Sequence, residues 1–234
     1  MDQLPPEASQ VFARLNEIVH SGATTQDVYD AIVHATVELV DGCDRAAILL
    51  RDRERLTSVA ATDPIAKGID ELEVSIGDGP CLDAILDEAV QFDPDLSTPT
   101  AWPELAARVV ADTPVRGMIG CRLLIDGTKV GALDLFSDTP GALTQRSVDQ
   151  SAILASLASV AIMTVRARGE AANLTKALDN SRAIGKAVGL IMAARKIDDE
   201  QAFQVLRRTS QELNLKLSLV AEEIVRGQSQ QAHR

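Results

Sequence analysis

The sequence predicts an α+β fold: an antiparallel sheet with flanking helices, then a long helix and a C-terminal three-helix bundle. Two hairpin patterns predict the sheet. Arg45–Arg51 (RAAILLR) and Leu56–Thr62 flank a polar turn at Asp52–Arg55. Met118–Ile125 and Val130–Phe136 flank Asp126-Gly127, a dipeptide favoured in tight hairpin turns. Apolar residues at helical spacing from Leu143 onward predict the rest, and strands followed by helices indicate α+β rather than α/β.

Each element has a local reason. Glu7–His20 sets Val11, Phe12, Leu15 and Ile18 on one helical side. Thr24 or Thr25 is placed to cap a helix through Val40, with Val28, Ile32, Val33, Ala35, Thr36 and Leu39 as its stripe. Val74 and Ile76 alternate into an expected short strand ending at Gly77. Gly77-Asp78-Gly79-Pro80-Cys81 opens a short helix with Leu82, Ile85 and Leu86 on one face. Pro94, Pro99 and Pro103 punctuate a long connection, with a helix over Glu104–Ala111. Thr144 or Ser147 caps a helix containing Ile153, Leu154, Leu157, Val160 and Ala161. Gly169 is its expected weak point, at about 1 kcal/mol relative to Ala. Leu174, Leu178, Ser181, Ile184, Val188 and Ile191 carry the stripe on to about Ala194. Asp198 with Gln201 forms a capping-box pattern for a helix whose core face is Ala202, Phe203, Leu206 and Leu213. A last helix, Lys216–Arg226, buries Leu217, Val220, Ala221, Ile224 and Val225.

Composition excludes several classes. The chain has 234 residues, 46% of them hydrophobic and 24% charged, which makes one or two globular domains with no need of disulfides. Cys43, Cys81 and Cys121 have no CxxC or Cys/His spacing, which argues against a zinc site and a disulfide framework. The N-terminus, MDQLPPEASQ, lacks an apolar h-region, so no signal peptide and a cytoplasmic location are expected. Ser151–Val165 is uncharged but shorter than the ~20 residues a spanning helix needs. Ser151, Ser156, Ser159 and Thr164 interrupt it, so a core or dimer helix is expected and no membrane. Net charge is −11, unevenly placed: residues 166–234 hold 12 Lys+Arg and 8 Asp+Glu, leaving −15 on residues 1–165. A basic module attached to an acidic one is one reading; an ordinary solvated face is the other.

The region Leu174–Val225, containing AIGKAVGLIMAARKIDDEQAFQVLRRTSQELNLKLSLVAEEIV, resembles an ANTAR domain. The matching positions are Arg182, Ile184, Ala187, Gly189, Met192, Ala202, Phe203, Leu206, Ser210, Asn214, Leu217 and Ala221. The chain departs from the family at Val188, where a basic residue is usual; Lys186 lies close by. The segments GDGPCLDAI (77–85), AWPEL (101–105) and IDGTKVGALDLFS (125–137) resemble a GAF sensor domain. The resemblance implies a GAF domain over 10–165 and an ANTAR domain with its entry helix over 166–230. It further implies a bacterial antitermination regulator that binds paired stem-loops with six-base loops in leader transcripts, disfavouring a terminator hairpin.

The residues themselves supply chemistry for RNA. Arg182, Lys186, Arg207 and Lys216, with Arg195, Lys196 and Arg208, can meet phosphates or stack on bases. Gly189 permits close backbone approach. Ser210, Gln211 and Asn214 offer hydrogen-bond groups at helical spacing. Phe203, the one aromatic in residues 166–234, falls on the apolar face and is expected in the core, which argues against a stacking platform. The apolar excess of Ser151–Val165 and Leu174–Ile191 predicts a homodimer. A small unidentified ligand is expected between the GAF sheet and its covering segments, around residues 64–116. His20, His34 and His233 form no haem-ligand set, and no cofactor or metal is expected. The rival class is an enzyme. Some GAF-fold proteins reduce free methionine sulfoxide with two cysteines, one near the position of Cys81; a helix start would lower that thiol's pKa, but a buried small residue is the favoured reading of Cys81. Residues 82–120 hold no second cysteine, so no catalytic residue is assigned. A third reading is a GAF dimer signalling only through protein partners.

Overall fold

The structure, a computed structural model, describes residues 13, 17–18, 21–52, 55–86 and 88–231. The early helix expected over Glu7–His20 lies outside these residues apart from Ala13, Glu17 and Ile18, and so does the centre of the first hairpin turn. The chain divides into two compact units between Ala167 and Arg168.

The first unit is built on five antiparallel strands: β1 (Arg45–Asp52), β2 (Arg55–Ala61), β3 (Val90–Asp93), β4 (Gly117–Ile125) and β5 (Thr128–Ser137), in the order β2-β1-β5-β4-β3. Both faces are covered, and the alternation along each strand follows from that. Ala46, Ile48 and Leu50, with Leu133 and Leu135, face α1 (Thr25–Leu39) and the start of α5 (Gln145–Arg195). Ala47, Met118 and Phe136 face the opposite layer, made by α2 (Pro64–Ile76), α3 (Pro80–Leu86) and α4 (Pro103–Asp112). Leu49 and Ala132 pack there against Cys81, Leu82 and Ile85 of α3.

Caps set the helix boundaries. Thr24 and Asp27 close a full capping box before α1. Hydrogen bonds from the Thr24 hydroxyl and backbone hold the Asp27 carboxyl below its ordinary range. Asp63 accepts from the backbone N–H of Ala66 ahead of α2, Pro64 occupies the first turn, and Gly77 ends the helix at φ 81°. These signals overrule the expected strand at Val74–Ile76. The buried positions Ala66, Ile69, Asp70 and Glu73 keep helical spacing, and two of them are acids that a hydrophobicity pattern does not count. Leu86 is a second correction: it is 61% exposed, while Leu82 and Ile85 are buried. Strand β3, four residues at the sheet edge, has too short a pattern to register in the sequence.

Helix α5 runs 51 residues without a break at Gly169. An added Cβ at Gly169 meets nothing within 4 Å, so the glycine costs propensity but removes no packing. One window of α5 is long and apolar enough to cross a membrane by length and composition; 39% of it is buried. Leu154, Ala155, Ala158, Ile162 and Val165 supply that burial against the sheet, leaving Ile153, Leu157 and Val160 exposed.

Candidate nucleic-acid interface

The second unit holds the end of α5, α6 (Asp199–Leu213) and α7 (Leu217–Gln231). Ala187, Ile191, Ala202, Leu206, Val220 and Ala221 form its core, and Val188 packs against them. Lys196 turns the chain at φ 54°, and Asp198 caps α6 by accepting from the backbone N–H of Gln201. Asn214 ends α6 at φ 53°. Its N–H donates to Gln211 O at 3.2 Å, the Leu215 N–H donates to Ser210 O at 3.1 Å, and the Ser210 hydroxyl donates to Leu215 O at 2.6 Å.

The structure brings the residues expected to contact RNA together in two groups. Ser210, Gln211, Asn214 and Lys216 meet at the α6–α7 turn, with Arg207 one helical turn earlier. All are exposed except Ser210, which is half-buried with its hydroxyl committed to the turn. Arg182 and Lys186 line a groove of about 430 Å³ with Asp179, Ala183, Glu222, Val225 and Arg226. Arg182 lies 3.6 Å from Asp179, and Arg226 pairs with Glu223 at 2.9 Å. Exposed pairs of this kind hold weakly and can be exchanged for phosphate at little cost. Gly189 is exposed, and a Cβ there would meet nothing within 4 Å.

Phe203 corrects the sequence reading. It is 38% exposed rather than core, and Leu213 is 57% exposed. Ala202 and Leu206 are the buried residues of α6, with Val205 packed beside them. Residues 203, 207, 210 and 214 recur at helical spacing, so the aromatic ring shares a face with Arg207, Ser210 and Asn214. That spacing was the available signal; the apolar character of phenylalanine masked it.

The cysteines of the first unit are all free and buried. Burial pushes the thiols of Cys43 and Cys121 up to about 12. Burial and then the charges of Asp134, Glu73 and Asp70 push Cys81 well above its ordinary value, in keeping with the expected buried small residue rather than with an activated thiol at a helix start. The Glu73 carboxylate accepts the backbone N–H groups of Cys81 and Leu82 at 2.6 and 2.9 Å. Among the described residues no group of His, Cys, Asp or Glu could hold a metal ion. A cleft of about 390 Å³ lies on the α5 side of the sheet, lined by Val90, Cys121, Leu124, Ala155, Ser159 and Val160 among others.

A family model described as GAF domain matches residues 22–163, and one described as ANTAR domain matches residues 172–225. The chain belongs to the GAF family and carries an ANTAR domain. This architecture is that of a regulator. No curated protein matches the chain. Among solved structures, the GAF domain of the Acinetobacter phosphoenolpyruvate-protein phosphotransferase is 15% identical at a TM-score of 0.52, over 70% of this chain and 97% of that one. The GAF domain of the corresponding Coxiella burnetii protein gives the same identity, TM-score and coverage. A free methionine-R-sulfoxide reductase from Neisseria meningitidis, solved with its substrate, is 14% identical at a TM-score of 0.53, over 72% of this chain and 97% of that one. Likeness at this identity establishes the GAF fold and nothing about activity.

Proposed function

We propose that this GAF–ANTAR protein is a cytoplasmic, homodimeric RNA-binding regulator that binds paired stem-loops in leader transcripts and promotes antitermination. The observation that carries the reading is the ANTAR match over 172–225, on a unit whose basic and amide side chains stand outside a purely aliphatic core. Lys186, Arg207 and Lys216 supply sequence-independent phosphate attraction. Gln211 and Asn214 supply base-reading groups, and Phe203 offers a ring for a splayed loop base. Gly189 leaves room for the RNA backbone on an exposed helix face.

Dimerisation is supported by Ile153, Leu157, Val160, Leu174 and Leu178, which are 41–64% exposed along α5. Pairing two ANTAR units would place two weak loop contacts in series and raise avidity through effective concentration. We read the GAF domain as a sensor without catalytic turnover. A reductase needs a thiolate, and burial of the three cysteines works against one. Expression of Cys81→Ser discriminates the classes: RNA binding unchanged and no methionine sulfoxide reduction in either protein supports the regulator. Reduction by wild type that disappears in Cys81→Ser would overturn it. A gel shift against a leader RNA with two stem-loops tests RNA binding itself, and failure to bind at low salt would refute the ANTAR assignment of function.

A further inference from the structure

Phe203 is the one aromatic residue of the second unit, and the fold leaves it outside the core. Ala202 and Leu206, with Val205 beside them, fill the side of α6 that meets its neighbours. The Phe203 ring sits at the flank of that side, 38% exposed. At about 100° per residue, Phe203, Arg207 and Gln211 form a row with one helical turn between members, and Ser210 and Asn214 lie beside it. Arg207, Gln211 and Asn214 are exposed. The row thus presents three flat side chains in succession: a ring, a guanidinium and an amide.

Side chains at i and i+4 on a helix are neighbours, about 5–6 Å apart at Cβ, and long ones lean toward the N-terminal turn. Arg207 therefore has the direction and the length to close over the Phe203 ring. Arg207 makes no ion pair, side-chain hydrogen bond or ring contact with another described residue, and the Phe203 ring makes no such contact either. The guanidinium is held neither by a carboxylate nor by the ring, so the space between the two planes is open to a third. A lone exposed phenylalanine is ordinary on a protein surface. This one shares its face with an uncommitted cation and two amides. Glu200, exposed three residues before Phe203, puts an anion at the other end of the row and directs phosphates toward Arg207 and Lys216.

We propose that each ANTAR unit stacks one unpaired loop base between the Phe203 ring and the Arg207 guanidinium, with the Gln211 amide facing the edge of that base. The inference deepens the RNA-binding reading and rests on it. Every base has a π face, so the ring supplies affinity that requires a base to be present and unpaired, whichever base it is. The guanidinium adds cation–π attraction on the other face. A paired stem base does not enter, because both of its faces are already stacked within the helix, whereas a loop base can be splayed out. The site thus selects loop over stem, which phosphate attraction alone does not do.

A double-mutant cycle between the full chain and its RNA tests the stack. The probe is a two-stem-loop leader RNA carrying an abasic nucleotide at the same loop position of both stem-loops, moved through the loop one position at a time. Phe203→Leu, which keeps the bulk, is expected to lower affinity for the complete loops about tenfold. One abasic position should lower wild-type affinity to a similar degree and cost the Phe203→Leu variant almost nothing more. Phe203→Tyr, which keeps the ring, should bind as the wild type does. The dependence on salt should be unchanged in Phe203→Leu, since no phosphate contact is lost. Arg207→Lys, which keeps the charge and loses the plane, should keep that dependence too while binding several-fold more weakly. Unfolding midpoints check that each variant is folded, and Phe203→Met serves where Phe203→Leu does not fold. Wild-type affinity in Phe203→Leu, equal losses in Phe203→Leu and Phe203→Tyr, or losses that simply add at every loop position overturn the stack and leave the RNA reading standing. A wild-type chain that binds no stem-loop removes both.

Discussion

Asn214 shows how one residue carries two demands. At φ 53° it occupies the left-handed region, which asparagine tolerates and a β-carbon otherwise penalises. Asn214→Ala therefore mixes backbone strain with loss of the amide, whereas Asn214→Gly removes only the amide. Asn214→Gly is expected to leave the unfolding midpoint within a degree or so while reducing discrimination among loop sequences, by about 1–3 kcal/mol in competition binding. Retained discrimination assigns Asn214 to the turn alone. Ser210 is already committed to that turn, so Ser210→Ala should cost about 1 kcal/mol of stability in urea titration, with loop discrimination kept. The buried acids of the GAF domain make a pH prediction. Burial pushes Glu73 up to about 7 and Asp70 up to about 8, against ordinary values of 4.5 and 3.8. Between those limits the folded chain holds protons that the unfolded chain has released. Stability is therefore highest near the unfolded values and falls as pH rises toward 8, with Asp134, also pushed well above its ordinary value by burial, adding to the fall. Urea midpoints measured from pH 5 to pH 8.5 should decline, and Asp70→Asn should shallow the decline. A midpoint climbing across that range contradicts the assignment.

At the scale of elements, the readable parts of the sequence were those where one face is wet and the other dry. Helix α1, the β4–β5 hairpin and the α6 cap follow from stripes and turn residues in plain view. Helix α2 did not, because its buried face includes Asp70 and Glu73, and Val74, 36% exposed, lies off it. Phe203 and Leu213 misled for the opposite reason: apolar residues were assigned inward although Ala202 and Leu206 already fill the core side of α6. The residues proposed to face RNA are legible from charge and amide spacing and in part from the family pattern, but their division between the α6–α7 turn and the Arg182–Lys186 groove depends on the fold. The grouping of Asp70 and Glu73 with Asp134 was not legible, since it joins residues 64 positions apart through sheet and helix packing. Helix α5 keeps an exposed apolar stripe through Ile153, Leu157 and Val160 and again at Leu174 and Leu178. Leu174→Glu combined with Leu178→Glu is expected to lower the mass in sedimentation from dimer toward monomer at micromolar concentration, with helical content kept. A wild-type monomer at that concentration removes the dimer.

For the whole molecule, an acidic GAF domain and a basic ANTAR domain share one chain, so electrostatics should steer RNA to the ANTAR unit alone. Binding of a two-stem-loop leader RNA, measured against an unpaired RNA of equal length at several salt concentrations, tests this most directly. Preferential binding to the stem-loop leader is expected, with the logarithm of affinity falling linearly in log salt. Lys216→Ala should weaken binding to every loop sequence alike and reduce that slope by about one. Equal affinity for the unpaired RNA, or a Lys216→Ala variant that folds, dimerises and binds with the wild-type slope, would contradict it.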